Sequence, residues 1–267
     1  MDIRALVVKP DAPALAARAP ATDLGLFRSA VENGAEHQRN QLRDLQARLA
    51  AENERSLLLV LQGMDASGKD GTIRRVFSGM NPLGCRVTSF KVPSEDEREH
   101  DYLWRVHRAC PGRGEIGIFN RSHYEDAVTT RVLGIIDDAT QRRRCKEIKQ
   151  FEALLVAEGT TIVKVFLHIS KREQRARLQA RIDDPTKRWK FNLADLDTRK
   201  RWNDCHDSYD LVLRATSTAA APWWIVPSDH KWVRDHVVTE LLVRALRSID
   251  PQYPAADGFD PSTFRVE

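Results

Sequence analysis

One junction constrains this chain more than any other feature. A continuous apolar run, Leu57 to Leu61, ends in Gln62-Gly63, and Gly63-Met-Asp-Ala-Ser-Gly68-Lys69 leads on into a helix-forming stretch. An apolar run without polar alternation marks a strand covered on both faces, the situation of a parallel sheet between two layers of helices. The skeleton that follows is G-x4-G-K, the Walker A pattern of a phosphate loop. The chemistry needs these residue types. Glycines let backbone N–H groups approach phosphate oxygens, and the start of the following helix adds its dipole and its unpaired donors. The lysine carries a flexible positive charge to the outer phosphates. The candidates for phosphate binding are therefore Gly63, Ala66, Gly68, Lys69, Gly71 and Thr72.

Two carboxylates modify the pattern. Asp70 stands where Ser or Thr would hold Mg2+, and Asp65 lies inside the loop. Bare carboxylates repel phosphates unless a divalent cation sits between them, so the loop implies Mg2+, with Mn2+ as a substitute. Asp65 is the expected ligand; Asp70 is either a ligand or a helix cap near the N-terminus.

Further strand-like runs follow at 86–91, 115–119, 161–168 and 223–226. Helical stretches are expected at 36–53, 72–80, 95–110, 139–158, 171–182, 193–208 and 231–248, the helix at 171 opened by Ser170 with Glu173 at capping-box spacing. The alternation predicts an α/β fold with a parallel five-stranded sheet flanked by helices. The first 35 residues lack a period and read as a flexible or loosely docked arm; the P-loop domain is expected over 36–250, and a C-terminal tail over 251–267. Cys85, Cys110, Cys145 and Cys205 form no C-x-x-C pair, which points to reduced thiols. With no apolar stretch of membrane length and no leader-like start, a cytoplasmic protein that avoids membranes is expected.

In parallel sheets, ligands gather at the carboxyl ends of strands, so the third strand should deliver Asn120-Arg121-Ser-His-Tyr-Glu125-Asp126 beside the phosphate loop. Arg121 there is a candidate phosphoryl clamp, whereas His123 reads as an ordinary polar residue. Net charge is only +4, too little to argue for nucleic acid as a partner. Its distribution is more informative: residues 171–201 hold eleven basic side chains against five acids, leaving −2 for the rest. A salt-bridged solvated helix is one meaning of such a run. Beside a phosphate loop, a cationic lid at about 177–201 that closes over a polyanion and excludes water is the other.

Together these segments resemble the polyphosphate kinase 2 family. The matching stretches are Gly63–Arg74 (GMDASGKDGTIR), Asn81–Pro93 (NPLGCRVTSFKVP), Ile116–Asp126 (IGIFNRSHYED), Asp184–Phe191 (DPTKRWKF) and Ala221–Val226 (APWWIV), spanning about 40–248. The resemblance implies a P-loop kinase-like fold with a helical lid, and it implies that Asp65, Lys69 and Arg121 are catalytic, with Asp65 as a magnesium ligand. It also implies that Arg177, Arg181, Lys187 and Arg188 are lid cations, and that the assembly is a homo-oligomer. Asn120 departs from the metal-binding Asp of many members. The Glu125-Asp126 pair resembles the subgroup that uses nucleoside mono- and diphosphates, which assigns both residues to the nucleotide and Asp126 to the metal as its second carboxylate. The implied function is reversible, Mg2+-dependent, in-line transfer of the terminal phosphoryl group of inorganic polyphosphate to AMP and/or ADP. An ATP-dependent nucleoside or nucleotide kinase and a non-catalytic polyanion or nucleic-acid binder remain the alternatives. Trp189, Trp202 and Tyr209 could stack a base or simply pack.

Overall fold

A computed structural model describes residues 2–9, 15–256 and 263. Met1, residues 10–14 of the arm and most of the tail lie outside the described residues. Five strands form one parallel sheet: β1 (Ser56–Gln62), β2 (Cys85–Ser89), β3 (Ile116–Asn120), β4 (Thr160–His168) and β5 (Trp223–Pro227). Their spatial order is β2-β3-β1-β4-β5, every pair parallel. The helices are α1 (Arg28–Glu52), α2 (Lys69–Val76), α3 (Glu95–Glu99), α4 (Trp104–Ala109), α5 (Glu125–Val132), α6 (Asp138–Ala157), α7 (Lys171–Asp183), α8 (Ala194–Lys200), α9 (Trp202–Thr216) and α10 (Lys231–Ile249).

The apolar run of β1 explains the layering. Leu57, Leu59 and Leu61 point into a core shared with Leu42 and Leu49 of α1 and Val237 and Leu241 of α10. Leu58 and Val60 point the other way, against Ile148 of α6, Ala127 of α5 and Val212 of α9. All five are at most 1% exposed, and each buried aliphatic side chain contributes roughly 1.5–3 kcal/mol.

The arm takes one of its two expected states, and three helical stretches differ in extent from expectation. The arm is docked: Val8 N–H donates to Trp223 O at 2.8 Å, Val7 bridges Trp224, and Ile3, Leu6 and Leu15 are buried. A few apolar residues beside an open sheet edge suffice for docking without any periodicity. Its last eight residues are already helix, because α1 opens at Arg28 and not at 36. The stretch 95–110 divides into α3 and α4 where Asp101 Oδ1 takes the Leu103 N–H at 2.9 Å, an aspartate turn that competes with the helix. Likewise 193–208 divides at Arg201 into α8 and α9. The short helix α5 had no periodic signal. All four cysteines are free thiols, and among the described residues no helix is long and apolar enough to cross a membrane.

Candidate active site

The sheet order sets β1 between β3 and β4, so the loops leaving β1 and β3 share one end of the sheet. Leu61 lies opposite Asn120, and the Arg121 N–H extends the ladder to Leu61 O at 3.1 Å. The phosphate loop Gly63–Gly68 and the segment Asn120–Glu125 are thereby side by side.

The loop's glycines answer to specific neighbours. At Gly63 (φ +145°) a Cβ would fall 2.7 Å from Leu167 O, and at Gly68 (φ +113°) it would fall 1.9 Å from the Arg234 guanidinium. Ala66 takes the left-handed conformation as well, at φ +59°. Gly71 and Thr72 sit in the first turn of α2, where the Thr72 N–H caps Gly68 O at 2.9 Å and the Thr72 hydroxyl faces Asp235 at 3.4 Å. Lys69 is buried and folds back on the loop, with Nζ on Gly63 O at 2.6 Å and Met64 O at 3.4 Å. Burial, reinforced by the nearby Arg121 charge, lowers its pKa to about 8, while Asp65, Glu125 and Asp70 oppose the shift.

Arg121 extends from β3 with φ +63° and donates from Nη2 to Asp65 Oδ1 at 2.7 Å. Burial works against its charge, but Glu125 and Asp65 outweigh it, and its pKa is raised. Asp70 accepts from Asn120 Nδ2 at 2.9 Å and lies 3.6 Å from Lys190 Nζ of the lid segment, contacts that keep its carboxyl below the usual range against the pull of burial. Asp70 thus bridges two walls of the site from the first turn of α2. Glu125, at the start of α5, faces this cluster and also accepts from the Thr129 hydroxyl at 2.6 Å.

Asp126 does not join it. One helical step from Glu125, it turns the other way and pairs with Arg105 Nη2 at 3.4 Å, while its backbone carbonyl accepts from Arg144. Burial raises its pKa, and the charges that oppose the shift are Arg105 and Arg144, not the phosphate-loop cations. The structure therefore separates Asp126 from Asp65, and among the described residues no three His, Cys, Asp or Glu side chains converge as a ready metal cage. The carboxylates at the loop are Asp65, Glu125 and Asp70, the last already held by Asn120 and Lys190. One or two carboxylates completed by phosphate oxygens suit Mg2+, which keeps waters and shares substrate oxygens.

The expected lid cations fall into two groups. Arg177 lies against the phosphate loop, its guanidinium within hydrogen-bond reach of Ala66 O and Ser67 O at 3.1 and 2.9 Å. Arg181 pairs with Asp195 at 3.5 Å on the site side of α7. Lys187 and Arg188 are exposed in the segment after α7, held by Asp184 at 2.5 Å and by Ile182 O at 2.8 Å. Tyr209 is a packing residue, 6% exposed, with its hydroxyl on Gln62 Oε1 at 3.3 Å; Trp202 is also buried, and Trp189 is 78% exposed.

His123 is not a surface residue but 1% exposed, against Phe151 and Tyr124. It marks a polar network that the sequence reading passed over. Tyr124, next to Glu125, donates to Glu152 Oε1 at 2.6 Å; Lys164 Nζ donates to Glu152 Oε2 at 2.6 Å, Tyr124 Oη at 3.1 Å and Thr216 O at 2.8 Å. The signal was present: a lysine in the middle of an apolar strand needs a buried partner. Gln174, Ser228 and Arg234, which also touch the phosphate loop, carried no such signal because they come from distant, unremarkable positions.

Comparison with known proteins agrees with this arrangement. Residues 27–254 match the family profile described as Polyphosphate kinase 2. The chain is 50% identical over 214 residues to the AMP/ADP-polyphosphate phosphotransferase of Meiothermus ruber, covering 80% of each sequence. It is 45% identical over 226 residues to the ADP-polyphosphate phosphotransferase of Rhodopseudomonas palustris, covering 80% of this chain and 78% of that one. The crystal structure of Polyphosphate Kinase 2 from Arthrobacter aurescens superposes with a TM-score of 0.92 at 41% identity, covering 96% of this chain and 92% of the other. The sheet order, the phosphate loop with its buried lysine and these similarities lead to one assignment: the chain belongs to the polyphosphate kinase 2 family.

Proposed function

We propose that this protein moves the terminal phosphoryl group of inorganic polyphosphate onto AMP, ADP or both, and that the transfer runs in either direction. A terminal phosphate oxygen of the nucleotide attacks the end phosphorus of polyphosphate, and the chain leaves one phosphate shorter. The observation that carries the reading is Arg121 on Asp65 at 2.7 Å, directly beside Lys69, at the carboxyl ends of β1 and β3. Similarity to proteins named for this activity supplies the substrate class.

Such transfers need positioning and charge neutralisation more than covalent help. Lys69 and the loop N–H groups hold the donor end. Arg121 is placed to neutralise charge on the group in transit once its aspartate partner is engaged elsewhere. Arg181, Lys187, Arg188 and Lys190 line the approach for the rest of the polyanion and help to exclude water. Mg2+, or Mn2+ in its place, would be held by Asp65 and Glu125 and would supply further neutralisation of phosphate oxygens. A homo-oligomer in the cytoplasm, with polyphosphate and adenine nucleotides as partners, completes the proposal.

The test is direct. Purified protein is incubated with AMP or ADP, long-chain polyphosphate and Mg2+, and nucleotides are separated over time. ADP and ATP should accumulate, and a chelator should stop it. Failure to phosphorylate either acceptor across pH 6–9 would remove the assignment.

A further inference from the structure

We propose that Gln174 and Arg177 of α7 are positioning residues for the phosphate loop, turning its carbonyl groups outward so that its N–H groups face the donor. The inference rests on the phosphoryl-transfer reading above, and it assigns Arg177 a role other than that of a mobile lid cation.

A loop that presents successive N–H groups to an anion must turn its carbonyls the other way, and buried carbonyls need donors. Here each has one. Gly63 O and Met64 O accept from Lys69. Asp65 O accepts from Gln174 Nε2 at 3.0 Å. Ala66 O accepts from Arg177 Nη1 at 3.1 Å. Ser67 O accepts from Arg177 Nη1 at 2.9 Å, from the Ser228 hydroxyl at 2.5 Å and from Arg234 Nη1 at 3.4 Å. The two residues of α7 thus hold the middle of the loop, including left-handed Ala66 and the backbone that aims the Asp65 carboxylate at Arg121.

The donor count for Arg177 decides its role. Beyond the two loop carbonyls, Nη2 donates to Ser228 O at 2.6 Å and Asp229 O at 3.0 Å, and Nε donates to Glu173 Oε1 at 2.9 Å. All five N–H groups of the guanidinium are engaged, four of them on backbone carbonyls of two loops. None is left for a phosphate oxygen. Gln174 is 0% exposed and is itself held by Arg199 Nη1 on its Oε1 at 2.8 Å. The start of α7 is pinned too, since the Ser170 N–H donates to Asp229 Oδ1 at 2.8 Å. The root of the lid is a brace tied to the phosphate loop and to the loop after β5.

A lysine cannot reproduce a planar five-donor fork, yet it keeps the charge. Wild type, Arg177→Lys, Arg177→Gln and Gln174→Leu are compared for kcat, for KM toward polyphosphate and for the salt dependence of that KM, with thermal unfolding as the control for folding. Both Arg177 variants should lose about tenfold or more in kcat, the lysine no better than the glutamine, and both should keep the wild-type salt slope. Gln174→Leu, which never carried charge, should lose about fivefold or more. Near-wild-type turnover in Arg177→Lys together with a shallower salt slope in Arg177→Gln would overturn the proposal and make Arg177 a direct phosphate contact. If the Arg177 variants do not fold, Gln174→Leu decides alone, and wild-type kcat there overturns the proposal. Should wild type itself show no turnover, the reaction assignment fails separately; calorimetric binding of tripolyphosphate then reads the brace, and equal affinity in wild type and Gln174→Leu overturns it.

Discussion

The phosphate loop and the lid segment that follows α7 surround the same site and are built in opposite ways. In the loop, every carbonyl from Gly63 to Ser67 is captured by a side chain, and its lysine is buried. In the segment 184–193, Lys187 and Arg188 are exposed and held only by neighbours a few residues away, Asp184 and Ile182. The difference teaches how to read a cationic stretch. Arg177 and Arg188 look equivalent as charges in a sequence, but one has spent its donors on backbone and the other has four to offer to a polyanion. The loop is cross-linked to distant parts of the chain, whereas the segment presents Lys187 and Arg188 to solvent on local contacts alone.

The sharpest way to break this contrast is Lys69→Ala. Turnover should fall by about a thousandfold or more while the cooperative unfolding transition is kept, because the residue serves the anion and not the core. Activity near wild type would show that the buried loop lysine is dispensable. Next comes the anchor beneath the loop from β3. Lys164→Met strands the Glu152 carboxylate, both side chains being at most 2% exposed, and should cost about 3–5 kcal/mol in denaturant unfolding. Adding Glu152→Leu should recover most of that stability; a single variant as stable as wild type would mean that the pair is not coupled. Any loss of turnover left in the double variant then measures how far Tyr124, which Lys164 and Glu152 hold, fixes Glu125.

The buried lysine also sets a pH dependence. Burial lowers the Lys69 pKa to about 8, so the free enzyme carries the charge below that pH and loses it above. Anion binding needs the protonated form. kcat/KM for polyphosphate should therefore fall about tenfold per pH unit above the break, and Lys69→Arg should move the break beyond the measurable range. A profile flat to pH 10 in wild type would contradict the lowered pKa. The smallest effects belong to the lid. Lys187→Ala and Arg188→Ala should each raise KM for polyphosphate about three- to tenfold at low salt, and the difference should shrink at high salt because exposed charges are screened. An effect that persists at high salt would place these side chains in a dry, closed site.

The sequence made the sheet and the phosphate loop legible because both are local: β1 announces itself as an unbroken apolar run, and G-x4-G-K needs only its own spacing. The neighbourhood of Arg121 was legible from topology, since parallel strands deliver their loops to one end. The division of labour between Glu125 and Asp126 was not. One step of helix rotation decides which carboxylate faces Lys69 and which meets Arg105, and α5 is too short to show a periodic face. Gln174 and Arg234 were invisible for another reason: they act on carbonyls 109 and 167 residues away in the chain, and a carbonyl leaves no trace in the residue code. Whether the arm is flexible or docked was not legible, because its fit depends on the free edge of β5, which exists only once the sheet is formed.

The identity of the phosphoryl donor decides what reaction the chain performs. AMP is supplied as acceptor, and initial rates of ADP formation are measured with long-chain polyphosphate and with ATP at matched concentrations of terminal phosphate and Mg2+. Polyphosphate should support ADP formation that Lys69→Ala abolishes, and ATP should not replace it. ADP formation from ATP and AMP with none from polyphosphate would contradict the central claim and make the chain a nucleotide-dependent kinase.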